Sequence, residues 1–581
     1  MIIQRLTELA DRLLAEGKLP PLGMQKKKID FVIELNPDGS LVGIKDMREG
    51  AGKKKQGREY DVPQEVVRTL AVKPNLLWDK AKYALGIPTE NAEEHFESFL
   101  MRIRSLPPEV GADAGVAAQL RFLSSPDCLA QLQKDMNWKE IAETAGNIAF
   151  RLVGDAGLVC QRPAVQKHVA TNPDTGENEK RETETSPRVC IITGTVQPSA
   201  TLHPKIKGFH NGQSSGNALV AYNSSSFESH GWTQGENAPI GIRTALAYTG
   251  ALNWLLASDT NSFREGDLHV VFWAAEPDAP LEGVFSSLFN PPGTNEDGEE
   301  PTYKDGKSIR AALSAPRSGH PPITDDPTPF YVLGLSPNAA RIVVRFWQED
   351  TVGKIAERII KWFDDLELIK DGRDTPSLSL HRLLSTLVLE GDVNKRLAPG
   401  IAADVMQAVL TGAPLPCTVL GAAITRCQKE HDVPHARAAL IKACLNRLPV
   451  ALATLTKEEM NVSLDPDNTN PGYRLGRLFA ALEKIQENAQ PGINSTIRDR
   501  SMASASSTPS LAFPRLMRLA THHLSKLERG ESYWNGVLGD IVNGIGDFPP
   551  TLSLEDQGRF FIGYYHQRQK FFERKSEQAA A

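Results

Sequence analysis

From about Ser377 to the C-terminus, apolar residues recur at i, i+3 and i+4, and strand-like alternation almost vanishes. The segments HRLLSTLVL, IAADVMQAVLTG, HARAALIKACLNRL, GYRLGRLFAALEKIQENA, FPRLMRLATHHLSKL and RFFIGYYHQRQKFFERK all carry this spacing. At 3.6 residues per turn it gathers the apolar side chains into one stripe per helix, and a stripe is stable only when another element covers it. Successive stripes of this kind leave an all-α helical bundle as the architecture expected for 377–581.

Upstream the period changes. An amphipathic opening helix places Ile2, Leu6, Leu9 and Leu13 on one face. FVIELNPDGSLVGIKDMRE then alternates around Asn36-Pro37-Asp38-Gly39 and predicts a hairpin. Residues from about Glu90 to Val153 read as helical, most clearly in FESFLMRIRSL and QLQKDMNWKEIAETAGNIAFRLV. From Arg188 short strands follow in RVCIITGT, ALVAYN, LHVVFWAAE and PFYVLGLSPNAARIVVRFW, with polar insertions at 171–186 and 290–307. The expected class is α+β: a mixed region over 1–376 with antiparallel strands, then the bundle over 377–581.

Composition removes several classes of function. A chain of 581 residues exceeds one core, and roughly two to four domains are expected. No run approaches the roughly 18 apolar residues of a membrane span. Arg5, Glu8, Asp11, Arg12 and Glu16 break up any signal-peptide core, which points to a cytoplasmic protein. Six scattered cysteines form no C-x-x-C pair, so neither a zinc site nor a disulfide scaffold is expected, and no cofactor is implied. With a net charge of −6, the whole-molecule field does not draw the chain to nucleic acid. Any such binding has to come from local patches.

Such patches exist. In HPKIKGFHNGQSSGNALVAYN, Lys205, Lys207, His210, Asn211, Gln213, Ser214, Ser215 and Asn217 crowd around Gly208, Gly212 and Gly216. Lysines and backbone N–H groups suit phosphates, while Asn and Gln offer paired donors and acceptors to base edges. A second group, Lys73, Asn75, Trp78 and Lys80, joins charge, amide and aromatic face, and a basic loop carries Lys53, Lys54, Lys55 and Arg58.

Enzyme motifs are incomplete by comparison. Gly212-Gln213-Ser214-Ser215-Gly216 fits G-x-S-x-G, so a serine hydrolase using Ser214 is the alternative reading. That motif requires a strand before and a helix after the serine, whereas here a lysine-rich loop precedes it and an apparent strand follows. Gly306-Lys307-Ser308 lacks the upstream glycine of a phosphate loop, having Pro301 there. His431-Asp432 fits a helix start better than a metal dyad, and the adjacent His522 and His523 diverge on a helix. A non-enzymatic protein is expected.

Several long segments, in order, carry a family resemblance: the opening helix and hairpin, VKPNLLWDK (72–80), HPKIKGFHNGQSSGNALVAYN (203–223), FESHGWTQGENAPI (227–240), YVLGLSPNAARIVVRFW (331–347) and GYRLGRLFAALEKIQENAQPGINSTIRDR (472–500). With these the chain resembles the large subunit of the type I-C CRISPR–Cas interference complex, Cascade. It departs mildly, reading SHGWTQG and AYN where that family has a Tyr-bearing SYG and Ser-Phe-Asn. The resemblance implies a non-catalytic DNA-recognition subunit that holds the 5′ end of the guide RNA with a neighbour. Such a subunit reads the protospacer-adjacent motif (PAM) on duplex DNA, helps open the strands, stabilises the R-loop and recruits a helicase–nuclease. Implied partners are the guide RNA, target duplex and displaced strand, the backbone subunits, the guide-processing subunit and small subunits.

On that reading Asn211, Gln213, Ser214, Ser215, Asn217, Asn75 and Lys80 face bases or grooves, and Lys205, Lys207, Lys73, Lys53, Lys54 and Lys55 face phosphates. Trp78 either wedges a base step or anchors its loop from within. Asn223, Gln234 and Asn237 are weaker candidates that also suit turn backbone. Arg474, Arg477, Lys484, Arg498, Arg500, Arg515 and Arg518 are expected to line a track for the displaced strand or guide duplex. The resemblance also implies that the C-terminal helices are made separately from an internal start. Met460, just before NVSLDPDNTNPGYRLGRL, would begin a 460–581 small subunit, whereas Met406 lies inside a helical pattern.

Overall fold

A computed structural model describes all residues except 51–54, 67–71, 88–91, 172–186, 223, 278, 290–305, 316–321, 371–377, 390–396, 450–459, 528 and 581, and omits the side chains of 306 and 573–580. The chain divides into two compact units, Met1–Ala257 with Pro337–Ile342, and Ser258–Ser336 with Val343–Ala581. The α+β class expected from the sequence is observed.

The first unit begins with α1 (Ile2–Ala15), whose Leu6, Leu9, Ala10 and Leu13 are buried as the spacing predicts. Its strands are β1 (Met24–Ile29), β2 (Phe31–Leu35), β3 (Leu41–Asp46), β4 (Arg48–Glu49), β5 (Gln56–Pro63), β6 (Trp78–Lys80) and β7 (Asn147–Leu152). β2 and β3 form the expected hairpin, closed by Asn36 N–H to Ser40 O and Gly39 N–H to Asn36 O, both 2.9 Å. One sheet runs β3-β2-β7-β6 and another β1-β5-β4.

NIAFRL corrects the helical expectation for this region. The helix Trp138–Thr144 stops at Ala145, which takes left-handed φ 49°, and Asn147–Leu152 then pairs in parallel with β2, Phe31 opposite Ile148. A central strand buried on both faces loses its alternation and resembles a buried helix segment in sequence. Two shorter strands, β8 (Arg188–Val189) and β9 (Val196–Gln197), are all that forms of RVCIITGT and its partner. ALVAYN contributes only an isolated bridge, Ala218 to Arg341, and no strand. The unit's helix α2 (Ile242–Ala257) packs on α1.

The second unit holds an antiparallel sheet in the order β10 (Ser262–Glu265), β11 (Leu268–Ala274), β12 (Pro329–Asn338), β13 (Arg341–Thr351). Every residue of β11 is buried. Downstream come α3 (Val352–Leu366), α4 (Cys417–Glu430), α5 (His435–Asn446), α6 (Pro471–Ala489), α7 (Ile497–Ser507), α8 (Pro509–Leu524) and α9 (Leu554–Ala580). Thr351 caps α3, its hydroxyl accepting from Lys354 N–H at 3.3 Å. α6 and α9 touch backbone to backbone: a Cβ on Gly476 would lie 1.9 Å from Phe560 O, and one on Gly563 would lie 2.1 Å from Tyr473 O. Only glycine permits that approach.

Sheet and helices share one core that runs from Phe263 to Tyr565. The boundary expected at 376/377 falls on residues outside the described set and, by position, inside this second unit. Beneath α3 lies a buried ion pair, Arg447 Nε to Asp365 Oδ2 at 2.7 Å, with 4% and 0% of the two side chains exposed. Arg447 also stacks over the Trp362 ring at 5.2 Å and donates to Ala408 O at 2.9 Å.

Candidate nucleic-acid interface

Loop 207–216 is closed at its base by a two-way backbone pair, Ile206 N–H to Asn217 O at 2.9 Å and Asn217 N–H to Ile206 O at 2.7 Å. Asn253 of α2 clamps one side, its Oδ1 accepting from Lys207 N–H at 2.8 Å and its Nδ2 donating to Lys205 O at 3.3 Å. On the other side the Asn217 carboxamide accepts from Gln213 N–H at 3.2 Å and donates to Ala339 O at 2.7 Å and Arg341 O at 3.3 Å. Within the loop, Gly212 N–H bonds Phe209 O and Gly216 N–H bonds Gln213 O. Gly216 has φ +92°, and a Cβ there would stand 2.8 Å from Lys205 Cβ.

This frame sorts the candidates. Asn211 (at left-handed φ 61°), Gln213, Ser214, Ser215 and Lys207 are exposed, and Lys205 is half-buried. Asn217 is 1% exposed, so it is corrected from a surface contact to a clamp. It lies opposite Ile206 in the closing pair, where both polar ends of its side chain find backbone partners. Ser214 sits in a turn, without the strand before it or the helix after it that a nucleophile elbow requires.

The second loop sorts in the same way. Asn75 is 1% exposed; its Oδ1 accepts from Val66 N–H at 3.0 Å, and its own N–H bonds Asp79 Oδ2 at 2.7 Å. It too is corrected to an internal strut. Trp78 is fully buried and donates through Nε1 to Pro63 O at 3.0 Å, which makes it the anchor of its loop rather than a wedge. Lys80 is exposed and Lys73 half-buried. Lys53 and Lys54 lie outside the described residues; Lys55 is exposed, 3.9 Å from Asp46. Asn223 also lies outside them. Asn237 serves turn backbone, accepting from Ser229 N–H at 2.9 Å and donating to Trp232 O at 3.1 Å, and Gln234 is half-buried.

The C-terminal cations do not form one row. Arg477 is 6% exposed and donates to Gln567 Oε1 and to the carbonyls of Asp465 and Pro466; burial lowers its pKa. It is the third inward-facing correction. Arg474 donates to Asn468 O at 2.8 Å, Lys484 pairs with Glu487 at 2.6 Å, and Arg498 lies 3.5 Å from the buried Glu483. Arg500, Arg515 and Arg518, on α7 and α8, remain on the surface. Met460 is 3% exposed, with its N–H bonded to Asn446 Oδ1 at 2.7 Å.

Sequence reasoning passed over Phe227 and Arg341, whose guanidinium lies 4.1 Å from the Phe227 ring centre on the hairpin tip that Asn217 clamps. Among the described residues, no group of three or more His, Cys, Asp or Glu is placed to hold a metal ion, and no helix is long and apolar enough to cross a membrane.

The first unit thus carries an amide- and lysine-bearing loop, displayed on a braced frame. The family described as CRISPR-associated protein (Cas_Csd1) matches residues 6–572, nearly the whole chain, and the chain belongs to that family. No curated protein matches it.

Proposed function

We propose that the chain is the non-catalytic large subunit of a type I-C, RNA-guided Cascade complex, and that it recognises the PAM on duplex DNA. Family membership supports the CRISPR setting. The DNA-reading role rests on one observation: Asn211, Gln213, Ser214 and Ser215 face outward from a loop whose base is clamped by Asn217 and Asn253. A loop backbone held in place before binding has little entropy of its own to lose, and the exposed amides it carries suit base edges. Guide pairing supplies most of the specificity in such complexes, so a few base pairs read by protein suffice.

Lys205, Lys207, Lys73 and Lys55 supply phosphate contacts, Lys80 faces the groove, and Arg500, Arg515 and Arg518 offer the displaced strand a shorter track than the seven cations expected. Partners on this reading are the guide RNA, the target duplex, the other Cascade subunits and a helicase–nuclease, in the cytoplasm. Met460 remains the proposed start of a separate 460–581 product.

The test is a pair of variants. Gln213→Ala and Asn211→Ala are expected to weaken binding to duplexes bearing the correct motif far more than to mismatched duplexes. Equal losses on both would reduce these residues to structural or phosphate roles. Ester hydrolysis by the purified chain, abolished in Ser214→Ala, would instead establish the hydrolase reading.

A further inference from the structure

We propose that Phe227 and Trp232 form a stacking platform for unpaired nucleotide bases, continuous with the amide loop; this rests on the nucleic-acid reading above. Both rings are left open on the surface, 43% and 41% exposed, although aromatic side chains gain most from burial. Each lies against a guanidinium, Arg341 at 4.1 Å from the Phe227 centroid and Arg188 at 5.5 Å from that of Trp232. A ring that accepts a base beside a cation that accepts its phosphate is the pairing by which proteins hold single strands without reading sequence.

The segment that carries them is braced. His230, Gly231 and Gln234 take left-handed φ of 56°, 75° and 44°. Asn237 bridges Ser229 N–H and the carbonyls of Trp232 and Gln234, and Glu236 accepts from Thr233 N–H at 3.0 Å. Glu228 accepts from Gln234 N–H, and the second oxygen of the half-exposed Glu236 pairs with Arg188 at 2.8 Å, a pair that an incoming phosphate would have to share. Outward lie the two rings and the hydroxyls of Ser224, Ser225, Ser226 and Thr233, together with the Arg188–Glu236 pair.

Continuity with the amide loop runs through one residue. Asn217 holds Gln213 N–H on one side and the carbonyls of Ala339 and Arg341 on the other, and Arg341 covers Phe227. A duplex end read by the loop therefore has an aromatic surface beside it for bases that come unpaired. The competing occupant is a protein. Val189, Ile191 and Val196 are exposed on the ribbon that carries Arg188, and a partner subunit could cover them together with the rings.

The experiment measures binding of the full-length chain, by fluorescence anisotropy, to a labelled thymidine oligonucleotide and to an abasic oligonucleotide with the same phosphates. One stacked base is worth at least about fivefold in affinity, so the wild type should prefer the thymidine strand by that factor or more. The double variant Phe227→Ala/Trp232→Ala should lose the preference while binding the abasic strand as before. Phe227→Tyr/Trp232→Phe should keep it.

A wild type that binds both strands equally, or an alanine variant that retains the preference, overturns the platform and leaves the PAM reading standing. An alanine variant that binds as wild type but no longer co-purifies with the other subunits makes the surface a protein dock, which also overturns it. Failure of the wild type to bind any oligonucleotide or duplex removes the nucleic-acid reading itself.

Discussion

At Asn217 one carboxamide does the work of a brace. Asn217→Ala removes the partner of Gln213 N–H and of the Ala339 carbonyl, at a cost of about 0.5–1.5 kcal/mol per hydrogen bond in denaturant unfolding. Duplex affinity should fall as well, although Asn217 itself faces inward. Gly216→Ala should act similarly, because φ +92° and the nearby Lys205 Cβ both oppose a methyl group. Two buried histidines make a further residue-scale prediction. Burial pushes His203 from its ordinary 6.5 down to about 4, and burial followed by the positive charge of Lys442 does the same to His566. Their neutral forms are the folded ones, so their contribution is complete above pH 6.5 and declines as pH falls from 6.5 towards 4. Each contributes roughly 3 kcal/mol over that interval, which the pH dependence of the unfolding midpoint should reveal. His203→Gln and His566→Gln should flatten the slope.

Among the elements, α6 and α9 meet through Gly476 and Gly563. Alanine at either position forces the helices apart, and a loss of about 3 kcal/mol is expected in thermal or chemical unfolding. The other face of α9 bears on the proposed small subunit. Beside Gly558 stand Leu420, Leu445 and Ile441, within 3.4 Å of where a Cβ would be, and all three belong to α4 and α5. A product beginning at Met460 lacks both helices. It should therefore bind a hydrophobic dye or self-associate in size-exclusion chromatography until another subunit covers that face. Met460→Leu, written with a leucine codon that cannot initiate, keeps the buried side chain apolar while removing the start; the short product should vanish from gels while the full-length chain stays folded. The helices themselves were legible, because each must bury a stripe that recurs every three or four residues. β7 was not, since a strand covered on both faces erases the alternation that marks strands.

For the molecule as a whole, what eluded the sequence is long-range. Periodicity changes near 376/377, and β10–β13 with the helices after them bury their side chains in one core. The amide loop was visible in composition, but loops have no period, so nothing local says that Gln213 points out and Asn217 in. Arg477 and Arg500 differ in the same way: the first is spent on Gln567 and backbone carbonyls, the second lies at the surface. With a net charge of −6, the proposed nucleic-acid binding would depend on a few local cations. Lys205→Ala and Lys207→Ala should weaken all duplexes alike, each lowering the slope of log affinity against log salt by about 0.9 if it meets one phosphate. The pair Arg447–Asp365 responds to none of this. Sealed under the Trp362 ring, it is beyond the reach of mobile counterions, which screen charges only where solvent enters. Concentrated salt should thus strip the protein of nucleic acid while leaving the attraction within this one pair almost unscreened.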